Sequence, residues 1–264
     1  MTDLALIAGR GGLPAALVAS LPERPFVCAL DGFAPDGITV DQVFRVERLA
    51  LFLRLLEDRG IKRVAFAGAV QRPRLDPSLF DPQTAQLVPR LLAAMQAGDD
   101  ATLRAVIGIF EEADFAVVGV EDIAPQLLPG AGVLAGTLPA NADADATRAA
   151  AIVAALGAVD VGQGCVVANG LCLAVEALPG TDAMLAGVAA LPETLRPKGG
   201  LFYKAAKPGQ DRRIDLPTIG PETLALVVKA GLAGICFQAG SVICLDLPAM
   251  QADAQARGLF LWAR

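Results

Sequence analysis

Short apolar runs that stop at glycine and give way to helical spacing restrict this chain's fold more than any other feature. Leu4 to Ala8 runs straight into Gly9, Gly11 and Gly12, and Leu13 to Leu21 follows with helical periodicity. Phe26 to Leu30 reads as the next strand and Val43 to Val46 as a further one. Leu49 to Asp58 is an amphipathic helix closed by Gly60, and Val64 to Ala67 is a strand that stops at Gly68. Pro82 to Ala97 and Ala101 to Ala113 have helical spacing, and Phe115 to Val120 is strand-like. Strands spaced by helices imply a parallel sheet covered on both faces. The fold class expected is α/β, with a Rossmann-like parallel-sheet domain at the N-terminus.

The pattern changes after residues 125–142, a Pro- and Gly-rich stretch with little periodicity. A boundary near 130 divides the chain into a nucleotide-binding domain, 1–130, and a catalytic α/β domain with a mixed sheet, 131–264. A length of 264 residues agrees with two domains. In the second half, Asp143 to Leu156 is helical. The runs Cys165 to Ala168 and Leu171 to Glu176 are separated only by Asn169 and Gly170, a hairpin signal because both turn residues need positive φ. Thr181 to Ala190, Pro221 to Ala230 and Pro248 to Arg257 read as helices. Leu201 to Lys204, Ile235 to Phe237, Val242 to Leu245 and Leu259 to Trp262 read as strands.

The chain has no histidine. This removes Ser-His-Asp and Cys-His catalysis, His-ligated zinc and His-rich two-metal phosphoesterase sites. A hydrolase built from this sequence must use Asp and Glu, and oxygen ligands point to magnesium or manganese. The five cysteines lie in apolar segments without a CxxC pair, so they are expected as buried reduced thiols of a cytoplasmic protein. A net charge of −6 disfavours nucleic acid as the main partner. No apolar run reaches the roughly 20 residues of a membrane span. The start of the chain lacks a basic-then-apolar leader.

Five segments could carry chemistry. Ile7 to Pro14 (IAGRGGLP) places a glycine turn between strand and helix, where backbone N–H groups can approach a phosphate; the full GxGxxG spacing is missing, and a ligand-free tight turn explains it equally well. Gly68 to Pro73 (GAVQRP) also follows a strand, so Gln71 and Arg72 should lie on the same ligand-binding edge, unless this is an ordinary exposed loop. Asp99 and Asp100, after Gly98, could anchor magnesium, although one of them is adequately explained as a helix cap. Gly180, Thr181 and Asp182 open a helix that could cradle a phosphate, or Thr181 could simply cap it. Lys204 to Pro221 gathers Lys204, Lys207, Arg212 and Arg213 with Asp211 and Asp215, which suits a polyphosphate with a metal but also a solvated face. Asp215, between Ile214 and Leu216 and ahead of Pro217, is the acid expected to be held in place.

Taken in order, IAGRGGLP, GAVQRP, GDD, EALPGTDAML and KPGQDRRIDLPTIGPET resemble the LpxI family of UDP-2,3-diacylglucosamine pyrophosphatases over nearly the whole chain. The resemblance implies hydrolysis of an acylated UDP-sugar to UMP and 2,3-diacylglucosamine 1-phosphate (lipid X) in lipid A synthesis, with Mg2+ or Mn2+ and attack at the sugar-side phosphorus. It implies two α/β domains with the substrate between them, a homodimer, and transient contact with the membrane surface from the cytoplasm. By the same resemblance Asp215 binds metal or orients the attacking water, with Asp182 beside it in the catalytic set. Asp99 and Asp100 share the metal. Gly11, Gly12, Leu13, Gln71, Arg72, Gly180, Thr181, Lys204, Lys207 and Gln210 are assigned to substrate. Ala225 lies three residues after Glu222, on the same helix face. It is taken as a candidate engineered position, where an acid has been removed to trap a ligand; a normal helical alanine is the plain alternative.

Two other classes of function stay open on the residues alone. Asp31, after the second strand, keeps an NAD(P)-dependent oxidoreductase in play, and a non-catalytic nucleotide or lipid carrier would use the same binding features. With Asp215 and the Asp99–Asp100 pair in opposite halves of the sequence, a shared site would require the domains to close around substrate.

Overall fold

The computed structural model describes residues 2–71, 74–195 and 199–264, with the side chains of Ala97, Asp99, Asp100 and Glu193 outside the description. Contacts divide the chain into two compact units. Unit 1 comprises residues up to Pro125 together with Asp211–Asp215, and unit 2 comprises Gln126–Gln210 and Leu216–Arg264.

Unit 1 runs β1 Leu4–Ala8, α1 Leu13–Ser20, β2 Phe26–Leu30, β3 Gln42–Phe44, α2 Leu49–Asp58, β4 Arg63–Ala67, α3 Thr84–Ala97, α4 Asp99–Glu112, β5 Ala116–Val117 and α5 Val120–Ile123. Its sheet has the order β3-β2-β1-β4-β5, and every pairing is parallel. β1 is buried along its whole length, as a central parallel strand must be, which is why its sequence is a continuous apolar run rather than an alternation. Phe52 and Leu56 of α2 and Ile107 and Phe110 of α4 pack against Ala5, Ile7 and Val64 of the sheet. Phe66 meets Phe110 edge-on at 5.2 Å, a preferred aromatic geometry. The strand expected over 115–120 is only two residues long, because α5 begins at Val120.

Unit 2 runs β6 Gly132–Ala135, α6 Ala142–Ala158, β7 Gly164–Ala168, β8 Leu171–Val175, α7 Gly180–Ala189, β9 Leu201–Lys204, β10 Thr218–Ile219, α8 Pro221–Lys229, β11 Gly234–Phe237, β12 Ile243–Cys244, α9 Leu247–Arg257 and β13 Phe260–Ala263. The main sheet, β6-β13-β11-β9-β7-β8, is mixed: β9, β11 and β13 run parallel, while β6, β7 and their neighbours pair antiparallel. β10 and β12 form a separate parallel pair. Period-2 alternation sorts the side chains of the sheet between two covered faces. Phe202 and Val166 join Leu185 of α7 and Leu224 and Val227 of α8. Leu201, Tyr203 and Val167 join Ala146, Ala149 and Val153 of α6.

The β7–β8 hairpin has the expected turn, with φ of 51° at Asn169 and 76° at Gly170. Buried Asp145, in the first turn of α6, locks it by accepting from Asn169 N at 3.0 Å and Gly170 N at 2.6 Å. The stretch 125–142, expected without structure, contains β6. Composition could not show this strand, since it exists through its antiparallel partner β13.

Candidate functional site

In unit 1 the two glycine turns do meet. β1 and β4 are neighbours at the centre of the sheet, and the chain leaves them towards opposite sides of the strand order, which is where open α/β sheets bind ligands. The loops are stitched together beyond the strands by Gly9 N to Ala67 O at 2.8 Å, Arg10 N to Ala69 O at 3.0 Å and Ala69 N to Arg10 O at 2.9 Å. The fit leaves no space for a side chain at Gly68. A Cβ there would come within 2.7 Å of the Gly9 and Arg10 backbone, and its φ is +90°. Gly11 and Gly12 are exposed, Leu13 is half-buried, and no side chain caps α1, whose second residue, Pro14, has no N–H. Gln71 is exposed on the partner loop, and Arg72 lies outside the described residues.

The acids assigned to metal fall differently from the expectation. Asp215 belongs to unit 1, not to the C-terminal half, and so shares a compact unit with the backbones of Asp99 and Asp100, which open α4. The reason is local. Ile214 packs against the unit 1 core, Arg213 pairs with Glu111 at 2.6 Å and Arg212 with Glu121 at 2.9 Å. Domain closure is therefore not needed to bring Asp215 into one unit with the GDD segment. The two arginines are engaged by these carboxylates rather than collected with Lys204 and Lys207. Asp211 accepts from Arg213 on both oxygens, at 2.9 and 2.7 Å; that hydrogen bonding holds its carboxyl below the usual range against the opposing effect of burial. Gly98, not an aspartate, occupies the cap position of α4.

In unit 2 the structure joins Thr181 and Lys204 through a residue absent from the assigned set, Glu176. Lys204 has the same parity on β9 as Phe202, so it faces α7, where Thr181 stands in the first turn. Its Nζ lies 3.2 Å from both Glu176 oxygens and donates to Thr181 Oγ1, whose hydroxyl donates to Glu176 Oε1 at 2.9 Å. Lys204 is 5% exposed. A lysine so buried needs a carboxylate partner, and the pair persists because each charge is hydrogen-bonded. The backbone makes room for it: a Cβ at Gly164 would meet Glu176 Oε2 at 2.7 Å. Thr181 therefore does not cap α7, and no side chain does, which leaves the N–H groups behind Gly180 for an anion. The signal for Glu176 was an acid ending an otherwise apolar strand.

The remaining positions lie around these features. Asp182 is exposed on α7. Lys207 Nζ pairs with Asp160 at 2.6 Å, and Gln210 Oε1 accepts from Lys207 N at 3.0 Å, so both are committed to shaping the loop after β9. Ala225 is exposed on α8. Among the described residues no group of three or more Cys, Asp or Glu forms a metal cluster, and none of their helices is long and apolar enough to cross a membrane. Cys28, Cys165, Cys236 and Cys244 are buried; Cys172 is exposed, unlike the expectation, because β8 is an edge strand.

Fold and site together define a two-unit α/β protein with a Rossmann-like first unit and a mixed-sheet second unit. Residues 3–127 match the LpxI N-terminal domain and residues 130–262 the LpxI C-terminal domain. The chain belongs to the LpxI family. It is 38% identical, over 99% of its length and 97% of the relative's, to the UDP-2,3-diacylglucosamine pyrophosphatase LpxI of Caulobacter vibrioides.

Proposed function

We propose that the chain hydrolyses the pyrophosphate of UDP-2,3-diacylglucosamine, releasing UMP and 2,3-diacylglucosamine 1-phosphate in lipid A biosynthesis. The observation that carries this reading is the match to both LpxI domains together with 38% identity to the Caulobacter pyrophosphatase across nearly the whole chain. The structure supports it with phosphate-binding features in each unit. In unit 1, the turn at Gly11, Gly12 and Leu13, with Gln71 and Arg72, holds the nucleotide phosphates. In unit 2, Lys204, Thr181 and the N–H groups that follow Gly180 at the start of α7 bind phosphate oxygens, and Glu176 keeps the lysine in position. Phosphoryl transfer is mostly positioning and charge stabilisation, which these groups supply without histidine.

Asp215 orients the attacking water at the sugar-side phosphorus. A magnesium or manganese ion, when bound, supplies Lewis-acid stabilisation of the charge on the pyrophosphate. The donor set suits such a hard cation: Asp215, Asp99 and Asp100 offer only oxygen and belong to one unit, while Asp211 is occupied by Arg213. The protein works in the cytoplasm as a homodimer and touches the membrane surface to collect its lipid substrate.

The test is UMP release from UDP-2,3-diacylglucosamine, with and without magnesium. Turnover should fall at least 100-fold in Asp215→Ala and on chelation. Binding of the substrate without any UMP formed would replace the enzyme by a carrier, and an undiminished rate in Asp215→Ala would refute that residue's role.

A further inference from the structure

The hairpin turn of unit 2 carries a chemically reactive pair that the proposed reaction does not use. Asn169 and Gly170 are both exposed. Asparagine is a labile side chain, most of all before glycine, which has no Cβ to shield its own nitrogen from the neighbouring amide. The chain has only two asparagines, Asn141 and Asn169, and the fold bonds them to each other. We propose that Asn169 is a latent modification site, a succinimide-forming asparagine that the first turn of α6 holds unreactive and that becomes aspartate or isoaspartate once that turn releases it.

The chemistry needs no reagent but water. The backbone nitrogen of Gly170 attacks Cγ of Asn169, and the new N–Cγ bond closes a succinimide ring. The bond from Cγ to Nδ2 breaks, and Nδ2 leaves as ammonia with the proton given up by Gly170 N. Water then opens the ring. Attack at the side-chain carbonyl leaves aspartate, and attack at the main-chain carbonyl routes the backbone through Cβ and Cγ as isoaspartate.

The fold restrains both reacting groups. Gly170 N, the attacking atom, donates to Asp145 Oδ1 at 2.6 Å, and Asn169 N donates to Oδ2 of the same side chain at 3.0 Å. Attack requires the Gly170 proton to leave, which would set an anionic nitrogen against a carboxylate that is 1% exposed. The side-chain amide under attack is held as well. Asn169 Oδ1 accepts from Asn141 Nδ2 at 2.9 Å, and that Nδ2 also donates to Asp145 Oδ2 at 3.0 Å. Asn141 and Asp145 stand four residues apart where α6 begins, so a single helical turn presents both restraints on one face.

The turn geometry explains why so labile a pair stands here. With φ of 51° and 76°, both positions need residues that accept the left-handed region, and Asn–Gly is the pair that fits best. Isoaspartate would add a backbone atom to this turn, which sets the register of β8 against β7. β8 runs from the turn to Val175, paired with Cys165, and the next residue, Glu176, donates its N–H to Gly164 O at 2.8 Å. The modification site thus lies at one end of the strand that delivers Glu176 to Lys204 at the other.

The test is peptide mapping by mass spectrometry on the full chain aged in mildly alkaline buffer. The readout is the mass gain of deamidation in the peptide carrying Asn169, with Asn141, which precedes alanine, as the internal control. Asp31–Gly32 and Asp36–Gly37 isomerise without a mass change and do not interfere. Native wild-type protein should keep Asn169 at least about tenfold longer than the same chain in denaturant, the factor that one hydrogen bond to a charged group implies. Asp145→Ala, shown to be folded by Trp262 fluorescence, should approach the rate of the denatured chain. Asp145→Asn, which keeps an acceptor at nearly the same reach, should fall between the two. Equal rates in folded and denatured wild-type protein overturn the proposal. So does a folded Asp145→Ala or Asp145→Asn chain that deamidates no faster than wild type, because the turn alone would then be the protection. If Asp145→Ala does not fold, the wild-type comparison and Asp145→Asn decide.

Discussion

On the proposed reading, units 1 and 2 meet phosphate in different ways. Unit 1 offers backbone: Gly11 and Gly12 lie ahead of an uncapped helix, on loops pinned by three main-chain hydrogen bonds. Unit 2 offers a side chain, Lys204, projected from a strand and held by Glu176 and Thr181. Backbone donors survive every substitution except proline and cost no buried charge, but they depend on glycine. A buried lysine brings a full charge, but it depends on its carboxylate partner. The two units should therefore fail by different routes.

The largest expected effect lies in unit 2. Lys204→Met leaves the largely covered Glu176 without its cation, a change that costs up to about 3–5 kcal/mol. UMP release should fall at least 100-fold, and denaturant unfolding followed by Trp262 fluorescence should show the lost stability, since the sole tryptophan is in unit 2. Adding Glu176→Leu should restore most of the stability but none of the activity. Recovery of both would make the pair purely structural and end the comparison on that side. In unit 1 the corresponding change is Gly68→Ala. It forces a Cβ against the Gly9 and Arg10 backbone at positive φ and should cost about 1–3 kcal/mol. UMP affinity should fall while the Trp262 transition stays where it was. A smaller effect is expected for Arg213→Ala, whose partly exposed ion pairs contribute at most about 1 kcal/mol. Activity should drop more than tenfold nonetheless, because the segment carrying Asp215 loses an anchor. Equal small losses in both would remove the positioning role of the segment.

What the sequence revealed divides along similar lines. The parallel first sheet was legible because buried central strands must be continuous apolar runs, as in Leu4–Ala8. The hairpin was legible because Asn169–Gly170 admits few other conformations. β6 and the two-residue β10 were not, since each is defined by a distant partner, β13 or β12, rather than by its own composition. For the site, the glycine turns are local signals. The allegiance of Asp211–Asp215 to unit 1 depends on Glu111 and Glu121, about ninety to a hundred residues earlier, and no local pattern marks such a pairing. Glu176 carries a local signal, an acid ending an apolar strand, but its partner Lys204 lies 28 residues on and only the fold brings the two together.

The last and smallest effect is a difference in pH response. In unit 1, the Arg63 side chain lowers the Asp3 carboxyl and the Arg213 side chain lowers that of Asp211. Burial pushes Asp41 up but is outweighed by Arg24 and the Val27 N–H, so it too is lowered. Carboxyls lowered by folding stabilise the native state above their ordinary range near 4 and lose that contribution as pH falls through the folded values. In unit 2, burial pushes the thiols of Cys165, Cys236 and Cys244 and the Tyr203 hydroxyl up to about 12, whereas in unit 1 the thiol so affected is that of Cys28. Acids raised by folding do the opposite. Their contribution is complete below the ordinary thiol value of 9.0 and is lost as pH rises towards about 12. Acidification below about pH 4 should therefore change far-UV circular dichroism before Trp262 fluorescence. Between pH 9 and 11, thiol labelling read by mass spectrometry should reach Cys165 and Cys244 ahead of Cys28. Coincident acid transitions would show that the units unfold as one body, and the separate failures expected of Lys204→Met and Gly68→Ala would then have to merge as well.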